Sequence, residues 1–334
     1  MADVISRPGQ VNLAGDDRAL YLKLFSGEVL ASFEQAKALQ GIFNEIAISG
    51  GKSKQFPVTG RAVTQRHVPG AEIDATGIKS AEREIKVDYE LVAANFFTDW
   101  DEKVSHYAVR GIYATELGRA LAKTYNEFLH LELSNAAHGL KVIDDADQYN
   151  GTQIINDKFK LNTGEAAAAA TQAEQAAAIT EAFYRCVTTF QERDIPGPFY
   201  ATLRPADYNV LIQAVQANGF SLANRDYSSN PADYAAGSLG TVGGVAPIIA
   251  PHMPKTNILS DGVNTDHYGD MSQVVGTVFN HMPIGVLRLM GLKVQEDYET
   301  RKLGSFVVAS MAIGLGTLRP ECAINLELDT LVNA

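Results

Sequence analysis

The sequence predicts an α+β protein in which helices and strands alternate along the chain and are joined by unusually long loops. Three observations carry the expectation. A proline-free stretch of about thirty-five residues holds helical spacing throughout. Several short runs are alternating or β-branched and read as strands. Between them lie polar segments rich in Gly, Asn and Tyr that fit neither pattern.

Taken in chain order, the first fifteen residues, rich in Gly, Pro, Asn and Asp, read as an extended arm. Arg18 to Phe33 then places Leu20, Leu24, Leu30 and Phe33 on a helical face widened by Tyr21 and Phe25. Gly27 interrupts it, so one helix or two short ones remain open. From Gly50 to about Asp88 the texture changes, with Pro57, Gly60, Pro69, Gly70 and Gly77 punctuating charged segments. Phe56 and Val58, and the alternating Ile85, Val87, Tyr89 and Leu91, predict strands flanking a long polar hairpin. A long loop without its own core is usually functional, which marks this hairpin for contact with another molecule.

Between about Asp101 and His138 only Gly111 and Gly118 weaken helix propensity. Val104, Ala108, Gly111, Thr115, Leu117, Leu121, Tyr125 and Phe128 follow helical spacing. Such a helix reaches roughly 50 Å and reads as a spine. Asp144 to Gly164 is polar and broken. Thr171 to Glu174 matches a capping box at the start of a second long helix, with Ile179, Phe183, Cys186 or Val187, and Phe190 on its apolar face. That helix is expected to end near Asp194, before Pro196. Phe199 to Leu203 reads as a strand and Pro205 to Ala217 as an amphipathic helix. Val242 to Ile249, Val274 to Phe279 and Val286 to Val294 are further strand candidates. Asn218 to Gly244 and His252 to Gly269 read as long loops. Lys302 to Gly316 and Ala323 to Leu328 form a last apolar pair joined through Leu318, Arg319 and Pro320.

Composition narrows the function. Hydrophobic residues make up 46% of 334, enough for a sizeable core, and the formal charge is −11. A duplex nucleic-acid binder needs a basic face to neutralise phosphates, and no run of Lys or Arg supplies one. Fourteen Phe and thirteen Tyr against one Trp point to packed sheets and subunit contacts. Two cysteines, Cys186 and Cys322, make neither a disulfide framework nor a four-ligand zinc site, and are expected to be buried in a protein of a reducing compartment. The N-terminus lacks the basic and apolar regions of a secretion signal. The most apolar late stretch, Leu303 to Leu315, is too short for a bilayer, which needs roughly twenty residues. A soluble protein made in the cytoplasm, without membrane contact, is expected.

Chemical motifs fail one by one. Gly51-Lys52-Ser53 lacks the first glycine of a phosphate loop, its place taken by Ile46, and runs into Phe56-Pro57 instead of a helix. Gly237, Gly240, Gly243 and Gly244 have no clear strand before them, and Pro247 blocks a helix after them. His252, His267 and His281, near Asp261, Asp266 and Asp270, lack tight metal-ligand spacing and read as surface-loop residues. Asp144, Asp145 and Asp147 lack the closing Glu of a calcium loop. No Gly-x-Ser-x-Gly elbow occurs, and Cys186 on an apolar face is no activated thiolate. Glu116 with Arg119 or Arg110 reads as a surface ion pair. No enzyme, cofactor or metal is expected; the protein acts by shape.

Asp16 through Leu30, Gly51 through Arg61, His106-Tyr107 with Arg110 to Tyr113, and Leu117-Gly118 together resemble the major capsid proteins of T7-like podoviruses. Weaker echoes follow at Phe199-Tyr200, Asp207-Tyr208 and Gly316 through Glu321, in the same order along nearly the whole chain. The segment from Gly51 is the most specific, while residues 139–195 and 218–270 diverge. The resemblance implies the HK97-type capsid fold, with an N-terminal arm (1–48) and an E-loop hairpin (49–90). It further implies a P domain with the spine and second long helix (91–195), an A domain (196–290) and a return to the P domain (291–334). It implies self-assembly into hexamers and pentamers of an icosahedral shell, with a scaffolding protein and a portal. Packaged double-stranded DNA would touch the acidic wall only weakly and non-specifically. An unprocessed N-terminus and a noncovalent shell are expected. Lys54, Arg61 and Arg66 on the hairpin are candidate contacts to an adjacent subunit's carboxylates, Glu102 or Glu116. An encapsulin-like cargo compartment is the alternative within this fold, and a soluble enzyme using the loop histidines the alternative outside it.

Overall fold

The computed structural model describes residues 28–34, 39, 41–43, 45–62, 77–100, 109–144, 148–159, 172–217, 240–260 and 267–329, with isolated positions between 64 and 75. Two sheets carry the fold. The first is four-stranded, in the order β1 (Glu45–Ala47), β11 (Ile284–Glu299), β12 (Gly304–Thr317), β4 (Leu91–Thr98). The second is five-stranded, in the order β5 (Thr152–Asn156), β13 (Ala323–Leu328), β10 (Val274–Phe279), β6 (Phe199–Leu203), β7 (Val245–Ile249). Short pairs β2 (Ser53–Thr59) with β3 (Ser80–Lys86), and β8 (Asn257–Ile258) with β9 (Gly269–Asp270), stand apart from both.

The spine helix α1 (Val109–His138) runs between the sheets. Its first half is amphipathic, burying Ala114, Leu117, Leu121 and Tyr125 and exposing Ile112, Glu116 and Arg119. From Leu129 to Ala137 nearly every side chain is buried, as a helix flanked on all sides must be. Leu129, Leu133 and Ala136 join the core under the four-stranded sheet, with Val307, Ala309, Met311 and Ile313 of β12. Leu131 turns to a separate cluster with Met253, Met271 and Val274. Residues 101–108, the predicted start of the spine, lie outside the described residues.

Helix α2 (Gln172–Glu192) buries Ile179, Phe183, Cys186 and Phe190 against the five-stranded sheet, in one core with Leu211 of α3 (Pro205–Ala217) and Ile324 of β13. A buried polar line crosses this sheet. The Thr277 hydroxyl donates to Asn325 Oδ1 at 2.9 Å, and Asn325 Nδ2 donates to Ser134 Oγ of the spine at 2.9 Å. These bonds satisfy groups that would otherwise carry a desolvation penalty of about 1–3 kcal/mol each.

The arm helix is present at residues 28–34. Val29 and Phe33 are buried against the spine, and the Ser32 hydroxyl donates to the Thr115 carbonyl at 2.7 Å. Gly118 makes the close approach possible: a Cβ there would lie 2.6 Å from the Val29 oxygen. The rest of the predicted helix, and the arm to residue 27, lie outside the described residues, as do Thr171 of the capping box and residues 218–239.

Several expectations need correction. The run from Ile85 to Leu91 is not one strand: the chain leaves β2 after Lys86 and joins β12 from Leu91. Burial alternates without interruption across the break, so periodicity could not reveal the change of partner. A strand, β5, lies in the segment read as broken; it pairs in parallel with β13, some 170 residues later. β11 extends to Glu299, because its outer half is an exposed, charged hairpin arm with no apolar run to betray it. His267 is not a surface-loop residue. It is buried, its ring 4.9 Å from that of Phe128 and 5.5 Å from that of Tyr89.

Candidate assembly interface

The β2–β3 hairpin is the part of the described chain with least support from its own body. Its root is well anchored. Ile85 and Val87 bury against Leu287 and Ala312 on the outer face of the four-stranded sheet. The strand crosses over Gly314 and Gly316 of β12, where a Cβ would collide with the Lys86 carbonyl or sit 2.9 Å from the Ile85 side chain. The Val87 amide donates to the Lys52 carbonyl, and Lys79 and Arg83 donate to the Asp144 and Leu140 carbonyls of the loop after the spine. Beyond this root, every described residue from Arg61 to Lys79 is exposed, including Ile78.

The sequence-predicted contact residues fall at different levels of this hairpin. Lys54 is half-buried in β2, its ammonium 5.7 Å from the centre of the Phe56 ring. Arg61 stands where the paired strands end. Its guanidinium lies 3.6 Å from an Asp194 oxygen and donates to the Arg193 carbonyl at 3.3 Å, both within its own chain. Arg66 is exposed on the tip. Glu116 is exposed on the spine and pairs with Arg119 one turn away at 3.1 Å. Glu102 lies outside the described residues. The structure therefore brings none of the three cations onto Glu116 of the same chain.

Beside the hairpin root, residues 58–61, 141, 142, 148, 149 and 318–321 enclose a pocket of about 240 Å³. Arg193, stacked 4.9 Å over the Tyr149 ring, and Glu321, accepting the Tyr149 amide, brace one side of it. Sequence reading missed this junction because its parts come from four distant segments.

A second exposed region lies at the far end of the four-stranded sheet. Trp100, Ile112, Leu303 and Phe306 are exposed there, and Tyr113 packs on Phe97 with ring centres 5.3 Å apart. Large apolar groups grouped on a surface mark contact with another molecule.

Three buried titratable groups among the described residues are held in their neutral forms. Burial pushes the thiols of Cys186 and Cys322 up to about 12, and burial pushes His130 down to about 4, leaving it neutral. Among the described residues no cluster of His, Cys, Asp and Glu is arranged to hold a metal ion, and no helix is long and apolar enough to cross a membrane.

Comparison with known proteins agrees with this geometry. A family model of Gp10A-like major capsid proteins matches residues 55–327. The chain is 26% identical to the major capsid protein of Escherichia phage T7, with 93% of this chain and 92% of that protein aligned. Among solved structures, the capsid of cyanophage P-SCSP1u is 32% identical with a TM-score of 0.73, covering 98% of this chain and 99% of that one. The mature capsid of bacteriophage PhiM1 shares the fold at 17% identity and a TM-score of 0.69, covering 88% of this chain and 87% of that one. The spine between two sheets, the projecting hairpin and the long β11–β12 arm are thus the HK97-type capsid fold, and the chain belongs to the Gp10A-like major capsid protein family, a structural shell protein of the virion and not an enzyme.

Proposed function

We propose that this chain closes into an icosahedral shell around double-stranded DNA, with a scaffolding protein guiding assembly and a portal occupying one vertex. The observation that carries the reading is the hairpin taken whole, exposed beyond its root and opposite in net charge to the rest of the chain. Residues 52–86 hold seven Lys and Arg against four Asp and Glu, a net +3, which leaves −14 on the rest of a chain of net −11. Complementary charge of this kind steers a projecting segment onto a neighbour and discourages wrong partners. Contacts between unlike surfaces close into rings when the rotation closes, here hexamers and pentamers. Many weak contacts per subunit then make a shell hard to take apart. DNA inside would meet an acidic wall and touch it only weakly and non-specifically. A cargo compartment is the less favoured reading, since the matching family and the relative at 32% identity are phage capsid proteins.

Within this reading, residues 1–48 act as the arm and 49–90 as the E-loop. The spine and four-stranded sheet form the P domain (91–195, with 291–334 returning to it), and residues 196–290 the A domain. Lys54, Arg61 and Arg66 meet carboxylates of an adjacent subunit, Glu102 or Glu116. Arg61 reaches there by exchanging Asp194 of its own chain for a neighbour's carboxylate, an exposed pair that holds it by only about 0–1 kcal/mol. Coexpression with the phage's scaffolding protein, followed by electron microscopy, tests the proposal. Wild type is expected to give closed shells and Arg66→Glu few or none; normal shells at normal yield from both Arg61→Glu and Arg66→Glu would refute the contact.

A further inference from the structure

We propose that the pocket beside the hairpin root binds a nucleoside monophosphate, either free or as the 5′ end of a strand. The site belongs to the single chain and does not depend on how copies pack.

Four segments close around this pocket: the end of β2, two parts of the loop after the spine, and the turn that leads into β13. Among the described residues that line it, Arg61, Lys141 and Arg319 are opposed by one carboxylate, Glu321. The wall is thus +2 in a chain of −11. A cleft of one sign with low-dielectric walls concentrates the opposite charge.

These cations are available to a ligand. Arg319 is exposed and, among the described residues, has neither an ion pair nor a side-chain hydrogen bond. Arg61 pairs with Asp194 at 3.6 Å and Lys141 with Asp144, and both aspartates are exposed and lie outside the pocket lining. Exposed pairs of this kind change partners at little cost. Glu321 is already engaged, one of its oxygens accepting the Tyr149 amide at 3.2 Å.

Charge selects the kind of phosphate. A monoester carries about −1.5 to −2 near neutral pH, which matches the wall. A diester within a strand carries half of that. Guanidinium forks fit pairs of phosphate oxygens. The rest of the lining selects the body attached to it. Val58, Leu318 and Pro320 supply an apolar side. Tyr149 also lines the pocket, with Arg193 stacked 4.9 Å over its ring and itself anchored to Thr152 Oγ1 at 2.9 Å. An aromatic ring held in this way is a stacking platform that accepts any base. At about 240 Å³ the pocket has the volume of roughly eight waters, more than a bare phosphate displaces.

Calorimetric titration of the full chain with deoxyadenosine 5′-monophosphate tests the site. Saturable binding at one site per chain is expected, at least tenfold tighter than for deoxyadenosine or inorganic phosphate. Arg319→Ala and Tyr149→Leu are each expected to weaken it at least tenfold with unchanged circular dichroism. Arg61 is shared with the subunit contact proposed above, whereas Arg319 takes no part in it. Arg319→Ala therefore decides the matter even if the Tyr149 variant fails to fold. A 5′-phosphorylated oligonucleotide that binds tenfold better than its 5′-hydroxyl form would support a strand end as the source. Binding of the mononucleotide alone would support the free nucleotide. Absence of saturable binding, equal binding of inorganic phosphate, or binding unchanged in Arg319→Ala would overturn the proposal, and none of these bears on shell formation.

Discussion

His138 ends the spine with its Nε2 3.0 Å from a carboxylate oxygen of Glu327 on β13, and its Nδ1 3.0 Å from the Ser134 carbonyl. The hydrogen bond to Glu327 is the main cause of a pKa raised above the ordinary 6.5, opposed by partial burial. A raised imidazole pKa stabilises the fold fully below pH 6.5 and ceases to do so as pH rises through the folded value. Melting temperature is therefore expected to fall slightly between pH 6 and 8, and Glu327→Gln to flatten that dependence. An NMR titration in which the Glu327→Gln variant keeps the same His138 midpoint would contradict this. The two cysteines are simpler to foresee. With thiol pKa values near 12 in a closed core, Cys186 and Cys322 are expected to resist thiol reagents at pH 8 until the chain unfolds. Their burial was legible from the apolar helical face around Cys186. The burial of His267 was not, because its polar flanks in sequence give no hint of Phe128 on the spine and Tyr89 in the β3–β4 connection, which pack on it.

Helices were easier to read than sheets in this chain, for a physical reason. A helix writes its contacts in local spacing, so α1, α2 and α3 were visible from residues such as Leu117, Leu121, Phe183 and Leu211. Strands take their meaning from partners far along the chain. Ile85 to Leu91 alternates as one strand yet serves two sheets, and β5 is too polar to be noticed without β13 beside it. The candidate interface was legible in part for the same reason. The polar hairpin stands out by composition, whereas β4 becomes an edge only when β12 is known to be its one strand partner among the described residues. Contacts between elements can be tested through glycine. Gly118→Ala would drive a methyl group into the Val29 carbonyl and is expected to cost about 1–3 kcal/mol by overpacking. Faster proteolysis near residues 28–34 would report the loosened arm. Gly291→Ala, with nothing within 4 Å, serves as the control and should be nearly silent. In the core of the five-stranded sheet, Phe183→Ala is expected to cost about 3–5 kcal/mol in denaturant unfolding.

At the scale of the whole molecule, two large packed cores and a spine give a rigid body, while among the described residues two regions stay exposed. The described residues of the hairpin tip beyond Arg61 are exposed, and the far end of the four-stranded sheet exposes Trp100, Leu303 and Phe306. A shell subunit needs this division: a rigid body to set curvature, and projecting or unfinished surfaces that only copies of itself complete. Salt should separate the two, since screening weakens exposed charge pairs and leaves the buried cores intact. Assembly is therefore expected to become less efficient at high ionic strength while subunit melting stays nearly constant. The most direct measurement is a cryo-EM reconstruction of the particles this chain forms with its scaffolding protein. The account expects closed shells in which residues 61–79 of each subunit lie across the neighbouring subunit. A chain that stays monomeric at high concentration, with that hairpin folded onto its own body, would contradict it.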